Sequence, residues 1–164
     1  MIGRWLHDRR GSAAAEFALA LPMMLALMFG GFEAGHFFWT EHKLVKAVRD
    51  GARFASRLPV DDLCNGPTDV MSSDTETLIQ NVTATGRLAD GNPKVPGWDP
   101  DDVTVTVGCE DFVATGIYTG LGSAGPMVTV STGAVSYPSL FEGLGFINST
   151  IQLSAKSSAA VVGI

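Results

Sequence analysis

The apolar and polar positions of this chain change period twice. From Ser12 to Phe32 the sequence is apolar with a single charge, Glu16. At about 1.5 Å per residue a helix of that length spans roughly 31 Å, the thickness of a bilayer's hydrocarbon core. From Glu33 to Leu58 the pattern becomes amphipathic. Phe37, Leu44, Val48, Gly51, Ala55 and Leu58 fall on one face, and His42, Lys46, Arg49, Arg53 and Arg57 on another. Pro59 ends this pattern, because the residue before a proline is pushed out of the helical region. One helix from Ser12 to about Arg57 is predicted, roughly 69 Å long. Pro22 removes one of its hydrogen bonds and is a candidate kink. Gly30, Gly31 and Gly35 form a small-residue patch suited either to close helix approach or to interfacial flexibility.

Beyond Pro59 the period shortens. Ser73-Asp74-Thr75-Glu76 reads as a capping box that opens a short helix, with Leu78, Ile79 and Val82 on its apolar face and Gly86 near its end. A loop rich in Asp, Gly and Pro covers 89–102. Val103 to Val107 alternates as a half-buried strand does, and further strands are predicted in Met127–Tyr137 and Thr150–Ala160. Strands without long intervening helices imply an antiparallel sheet. The fold class expected is α+β: a long N-terminal transmembrane and amphipathic helix packed on a small antiparallel β-sheet domain with one short extra helix. The expected segments are 1–11 as leader, 12–32 as transmembrane helix, 33–58 as its outer extension and 59–164 as the outer domain.

Charge orients the chain. Arg4, Arg9 and Arg10 precede the apolar run against one acid, Asp8. The positive-inside rule then puts the N-terminus in the cytoplasm and everything after Phe32 outside. Phe37, Phe38 and Trp39 suit the outer interface, where amphipathic rings collect. Residues 1–58 carry a net +3 and residues 59–164 a net −9, together the −6 of the whole chain. So acidic an outer domain argues against nucleic-acid binding, which needs a basic footprint. The basic helix face has two readings, a solvated face or a surface that meets carboxylates on its own domain or on a neighbour. Cys64 and Cys109 are the only cysteines. Both lie beyond the apolar run, and in an oxidising periplasm two such thiols should pair.

Glu16 carries the functional question. A charge within a membrane-length helix costs on the order of 2.5–3.5 kcal/mol by insertion scales and usually marks function. A cleaved signal peptide fits poorly, since cutting after Ala34 or Gly35 leaves Phe32 or Glu33 at the position that needs a small residue. In a plain anchor, Glu16 would only sit near a helix N-terminus, where the macrodipole favours an anion. The third reading comes from a resemblance. Gly11, Ser12, Glu16 and Phe17, with Pro22 in the apolar run and the later stretch Ala47-Val48-Arg49-Asp50-Gly51-Ala52-Arg53-Phe54-Ala55-Ser56, resemble the TadE-like proteins of Flp (Tad) type IV pilus systems. The resemblance implies cleavage by a prepilin peptidase between Gly11 and Ser12. It also implies that Glu16 pairs with the N-terminal ammonium of a neighbouring subunit, offsetting the desolvation of both charges. It implies a minor pilin or pseudopilin in the inner membrane, with an outer domain in the periplasm or, in a pilus, outside the cell. Its partners would be the major Flp pilin, other minor pilins and the assembly platform. The alternative is an unprocessed, membrane-anchored scaffold or binding protein of the same machinery.

No enzyme, cofactor, metal or small-molecule substrate is expected. Gly120-Leu121-Gly122-Ser123-Ala124-Gly125 spells a dinucleotide fingerprint, but Pro126 and a strand pattern follow where a helix is required. Asp99, Asp101 and Asp102 are candidate calcium ligands or simply an acidic turn. His7, His36 and His42 have no nucleophile beside them in sequence.

Overall fold

The fold follows from one helix meeting two solvents. A computed structural model describes residues 12–65, 68–109, 126–141 and 151–163. Helix α1 runs unbroken over Ser12–Ala55, 44 residues, through Pro22. Its first buried residue is Thr40; upstream of it the side chains are exposed except for the half-buried Glu33, His36 and Phe37. Above that point Leu44, Ala47, Val48, Gly51, Ala52 and Ala55 are buried at helical spacing, the face that the pattern predicted. The helix ends earlier than Arg57. Arg57 and Leu58 donate to the carbonyls of Phe54 and Ala55, a tighter turn that closes the helix ahead of Pro59.

After a 3₁₀ turn at Val60–Asp62, strands β1 (Cys64–Asn65) and β2 (Thr68–Asp69) make a two-residue ribbon that the sequence pattern did not reveal. Helix α2 spans Ser73–Thr85. Its cap is Ser72 rather than Ser73: Ser72 Oγ accepts from the Thr75 amide at 3.2 Å. Both serines are competent caps, and only the backbone chooses between them. Gly86 ends α2 in the left-handed conformation, φ 82°, which a residue with a Cβ adopts at a cost. Lys94 Nζ reaches the last-turn carbonyls of Val82 and Thr83 at 3.4 and 3.3 Å, the cation a helix C-terminus favours. Burial lowers the Lys94 pKa, and the nearby charge of Asp50 opposes that.

Strands β3 (Val103–Gly108), β4 (Met127–Ser136) and β5 (Gln152–Ala160) form an antiparallel sheet in the order β3-β4-β5. One face carries Val103, Val105, Val128, Val130, Val135 and Leu153, all buried against α1 and α2. The other carries Thr104, Thr106, Thr129, Ser131, Lys156 and Ser158, so the alternation is that of a sheet wet on one side. Register shifts between Thr132 and Val135, at Gly133-Ala134, the irregularity of a β-bulge. Trp98, Leu63 and Ile79 fill the space between the layers, each burial contributing about 1.5–3 kcal/mol. The predicted α+β architecture is the one observed.

Two contacts fasten the domain. Gly51 lies so close to Thr83 that a Cβ there would run into the threonine side chain, which lets α1 and α2 approach. Cys64 and Cys109 form a disulfide, Cα–Cα 5.8 Å, that ties the β1–β2 ribbon to the end of β3. We expect Gly51→Val to lower unfolding stability by about 1–3 kcal/mol through overpacking, read by denaturant titration of the full chain in detergent micelles. Replacing both cysteines by serine should cost about 3–4 kcal/mol on the chain-entropy estimate for this loop, read by the same titration under oxidising conditions.

Candidate membrane and assembly surface

The first turns of α1 hold the residues singled out from the sequence. Gly11 lies outside the described residues. Ser12 Oγ donates to Glu16 Oε1 at 3.1 Å, across one helical turn, and both side chains are exposed. A neutral hydroxyl four residues away is a weak partner for a carboxylate in lipid, so the anion keeps most of its desolvation problem. Phe17 stands beside it, 58 % exposed. Pro22 leaves the Ala18 carbonyl without its helical donor. A Cβ at Gly30, Gly31 or Gly35 would meet nothing within 4 Å, so among the described residues none packs on the small-residue patch. No residue of the most apolar stretch is buried. Among the described residues, most of the circumference of residues 12–32 is available to lipid or to other helices.

Where the helix leaves this stretch, a polar cluster joins it to the end of β4. Tyr137 is buried, and its hydroxyl donates to the Glu33 backbone carbonyl at 3.2 Å. His36 Nδ1 lies 2.9 Å from the same oxygen. With the single phenolic proton on the carbonyl, the histidine donates from Nδ1. Burial first, and then hydrogen bonding to and the charge of Glu33, push the Tyr137 pKa up from 10.0 to about 12. Glu33 Oε2 accepts from the Leu140 amide at 3.2 Å, while Oε1 is buried without a partner among the described residues. Thr40 Oγ1 closes on the His36 carbonyl. Phe37 packs edge-on against Tyr137, ring centroids 5.3 Å apart. Phe37 thus belongs to the domain contact, and of the three expected interface aromatics only Phe38 and Trp39 project outward. Glu33, His36 and Tyr137 were not assembled by sequence reasoning. More than a hundred residues separate His36 from Tyr137, and no spacing rule reaches that far.

The basic face has one reading fewer. Counted at about 100° per residue, His42, Lys46, Arg49 and Arg53 centre about 180° from the buried Leu44/Val48/Ala55 face, and all four are exposed. The helix itself stands between them and its own acidic domain. They border a shallow groove of about 240 Å³ with Val45 and Asp50. Asp99, Asp101 and Asp102 sit in and beside a 3₁₀ turn, the Asp99 amide donating to Asp102 Oδ2 at 3.0 Å. Among the described residues no group of three or more His, Cys, Asp or Glu is placed to hold a metal ion. The glycine-rich stretch 120–125 lies outside the described residues.

The disulfide and the Glu16 turn belong to opposite ends of this arrangement: one stabilises the outer domain, the other marks the foot of the helix. The TadE-like protein family model matches residues 11–53, the span that carries Glu16, Pro22 and the basic face. Over that span the chain is similar to the TadE-like family, the same family its motifs resemble. No curated protein and no solved structure matches the chain.

Tyr137→Phe should keep the ring packing and lose the hydroxyl's bonds, a cost of about 1 kcal/mol. Phenol titration followed by ultraviolet absorbance should find Tyr137 ionising near pH 12. Because the folded pKa lies above the unfolded one, the stability this group contributes is full below about pH 10 and declines as pH rises toward 12. Glu33→Gln should move that titration to lower pH.

Proposed function

We infer, from the match of residues 11–53 to the TadE-like family model and from a helix of membrane length and composition, that the chain is anchored in a membrane and belongs with Tad pilus machinery. Beyond that, we propose that the chain is a minor pilin or pseudopilin of a Flp/Tad pilus. It is inserted in the inner membrane by α1 with its N-terminus in the cytoplasm, matured by a prepilin peptidase between Gly11 and Ser12, and used to start, cap or support the filament. The observation that carries this is Glu16: an exposed carboxylate on the otherwise uncharged, lipid-length stretch 12–32, answered among the described residues by a serine hydroxyl. Cleavage after Gly11 would create an ammonium at Ser12. A neighbouring helix could then bring that cation to Glu16 and remove two desolvation costs at once. The major Flp pilin, other minor pilins and the assembly platform are the partners this reading requires. The outward basic face is placed to meet acidic surface on such neighbours.

The role is structural rather than enzymatic. The hydroxyl beside His36 belongs to Tyr137, whose raised pKa keeps it protonated and makes it a poor nucleophile. The mass of the protein from its native membrane distinguishes a processed subunit from an unprocessed scaffold. Loss of residues 1–11 supports the subunit, and an intact Met1 overturns it. Glu16→Gln should leave membrane insertion unchanged and sharply reduce recovery of the chain in sheared pilus fractions; normal recovery would remove the pairing argument.

A further inference from the structure

The end of β4 continues downward, past the polar cluster, toward the apolar part of α1. Phe141 packs edge-on against Phe29, ring centroids 5.3 Å apart. Phe29 lies inside the apolar run, about one helical turn below Glu33. The outer domain therefore reaches below the level at which the helix becomes amphipathic. Leu140 beside it is 54 % exposed, and Ile151, which faces the same end of the sheet, is also exposed.

An apolar tip in water is unremarkable by itself. What distinguishes this one is its backbone. The Leu140 amide is held by Glu33 Oε2, the Phe141 amide by Ser139 Oγ at 3.2 Å, and the Tyr137 amide by the Ile151 carbonyl at 2.9 Å. Pro138 has no amide hydrogen to satisfy. A solvated turn has water for these donors; a turn at lipid depth must find acceptors within the protein. Tyr137 and His36 stack just above, at centroid separation 5.6 Å, where amphipathic rings collect at a bilayer surface.

We propose that Leu140 and Phe141 form a second membrane contact: a lipid-immersed tip, continuous with the lipid-facing surface of α1, that seats the outer domain on the outer leaflet. The inference rests on the membrane reading of α1 and is independent of whether the chain is processed or enters a filament. The tip would fix the tilt and rotation of the packed stem and domain relative to the bilayer, which a lone helical span leaves free. Its occupant is the acyl region of a bilayer, because the neighbouring surface is the span itself.

The test uses the full, disulfide-bonded chain in phosphatidylcholine vesicles with a nitroxide on one added cysteine. Leu140→Cys is compared with Leu27→Cys, exposed within the span, and with Leu88→Cys, as exposed as Leu140 but on the outer domain. The ratio of collision with oxygen to collision with a water-soluble nickel chelate reports depth. The label at 140 should resemble that at 27 and exceed that at 88 several-fold. If 140 resembles 88 while 27 is lipid-like, the tip proposal fails and the anchor stands. If 27 is itself water-exposed, the membrane reading fails and the tip with it. Strong spin–spin broadening at 140 that is lost on dilution with unlabelled chain would overturn lipid in favour of a second copy.

Discussion

The structure depends on α1 staying one continuous helix while its surroundings change. Backbone groups in hydrocarbon must be satisfied within their own segment, and a helix does this at every position except next to Pro22. The same hydrogen-bonded rod then supplies the central face on which the domain packs. Continuity means that a force or a rotation at the foot of the helix is felt in the outer domain without a hinge between. The packing of Gly51 against Thr83, the sheet on Leu44 and Val48, and the C-terminal strap, in which the Val162 amide donates to the Ser56 carbonyl at 2.8 Å, all make domain and stem one body.

Two glutamates on this helix meet the desolvation problem differently. Glu33 lies where the domain touches the stem and spends one oxygen on a backbone amide of the β4 end. Among the described residues Glu16 meets a serine hydroxyl and no backbone amide of the outer domain. A carboxylate satisfied within the fold holds that fold together; a carboxylate satisfied only in part is a demand on another molecule. This contrast, more than the apolar length of the segment, is what the proposed assembly role rests on.

Much of the architecture was legible because it is local. The spacing of Leu44, Val48, Gly51 and Ala55 marks the packed face whatever it packs against, since a helix turns at a set rate. Alternation in Val103–Val107 marks a strand for the same reason. The disulfide was legible from there being two cysteines, both beyond the apolar run. Helix ends were less so: Ser72 and Ser73 are equal as letters, and α1 closes two residues before its last helical-pattern residue because Pro59 acts at a distance of one turn. The β1–β2 ribbon was invisible, since two residues per strand carry no period.

By itself, then, the amino-acid order determined which segments are helix or strand, which face of each is apolar, where lipid length begins and ends, and that one charge is out of place. These are consequences of backbone geometry and transfer free energy acting within a few turns. Only the tertiary structure decided that Tyr137 and His36 meet over the Glu33 carbonyl, that the basic stripe faces away from its own acidic domain, and that Phe141 descends to Phe29. Those contacts join residues far apart in the chain, and their partners are selected by how the sheet seats on the helix, a packing outcome that no local period encodes.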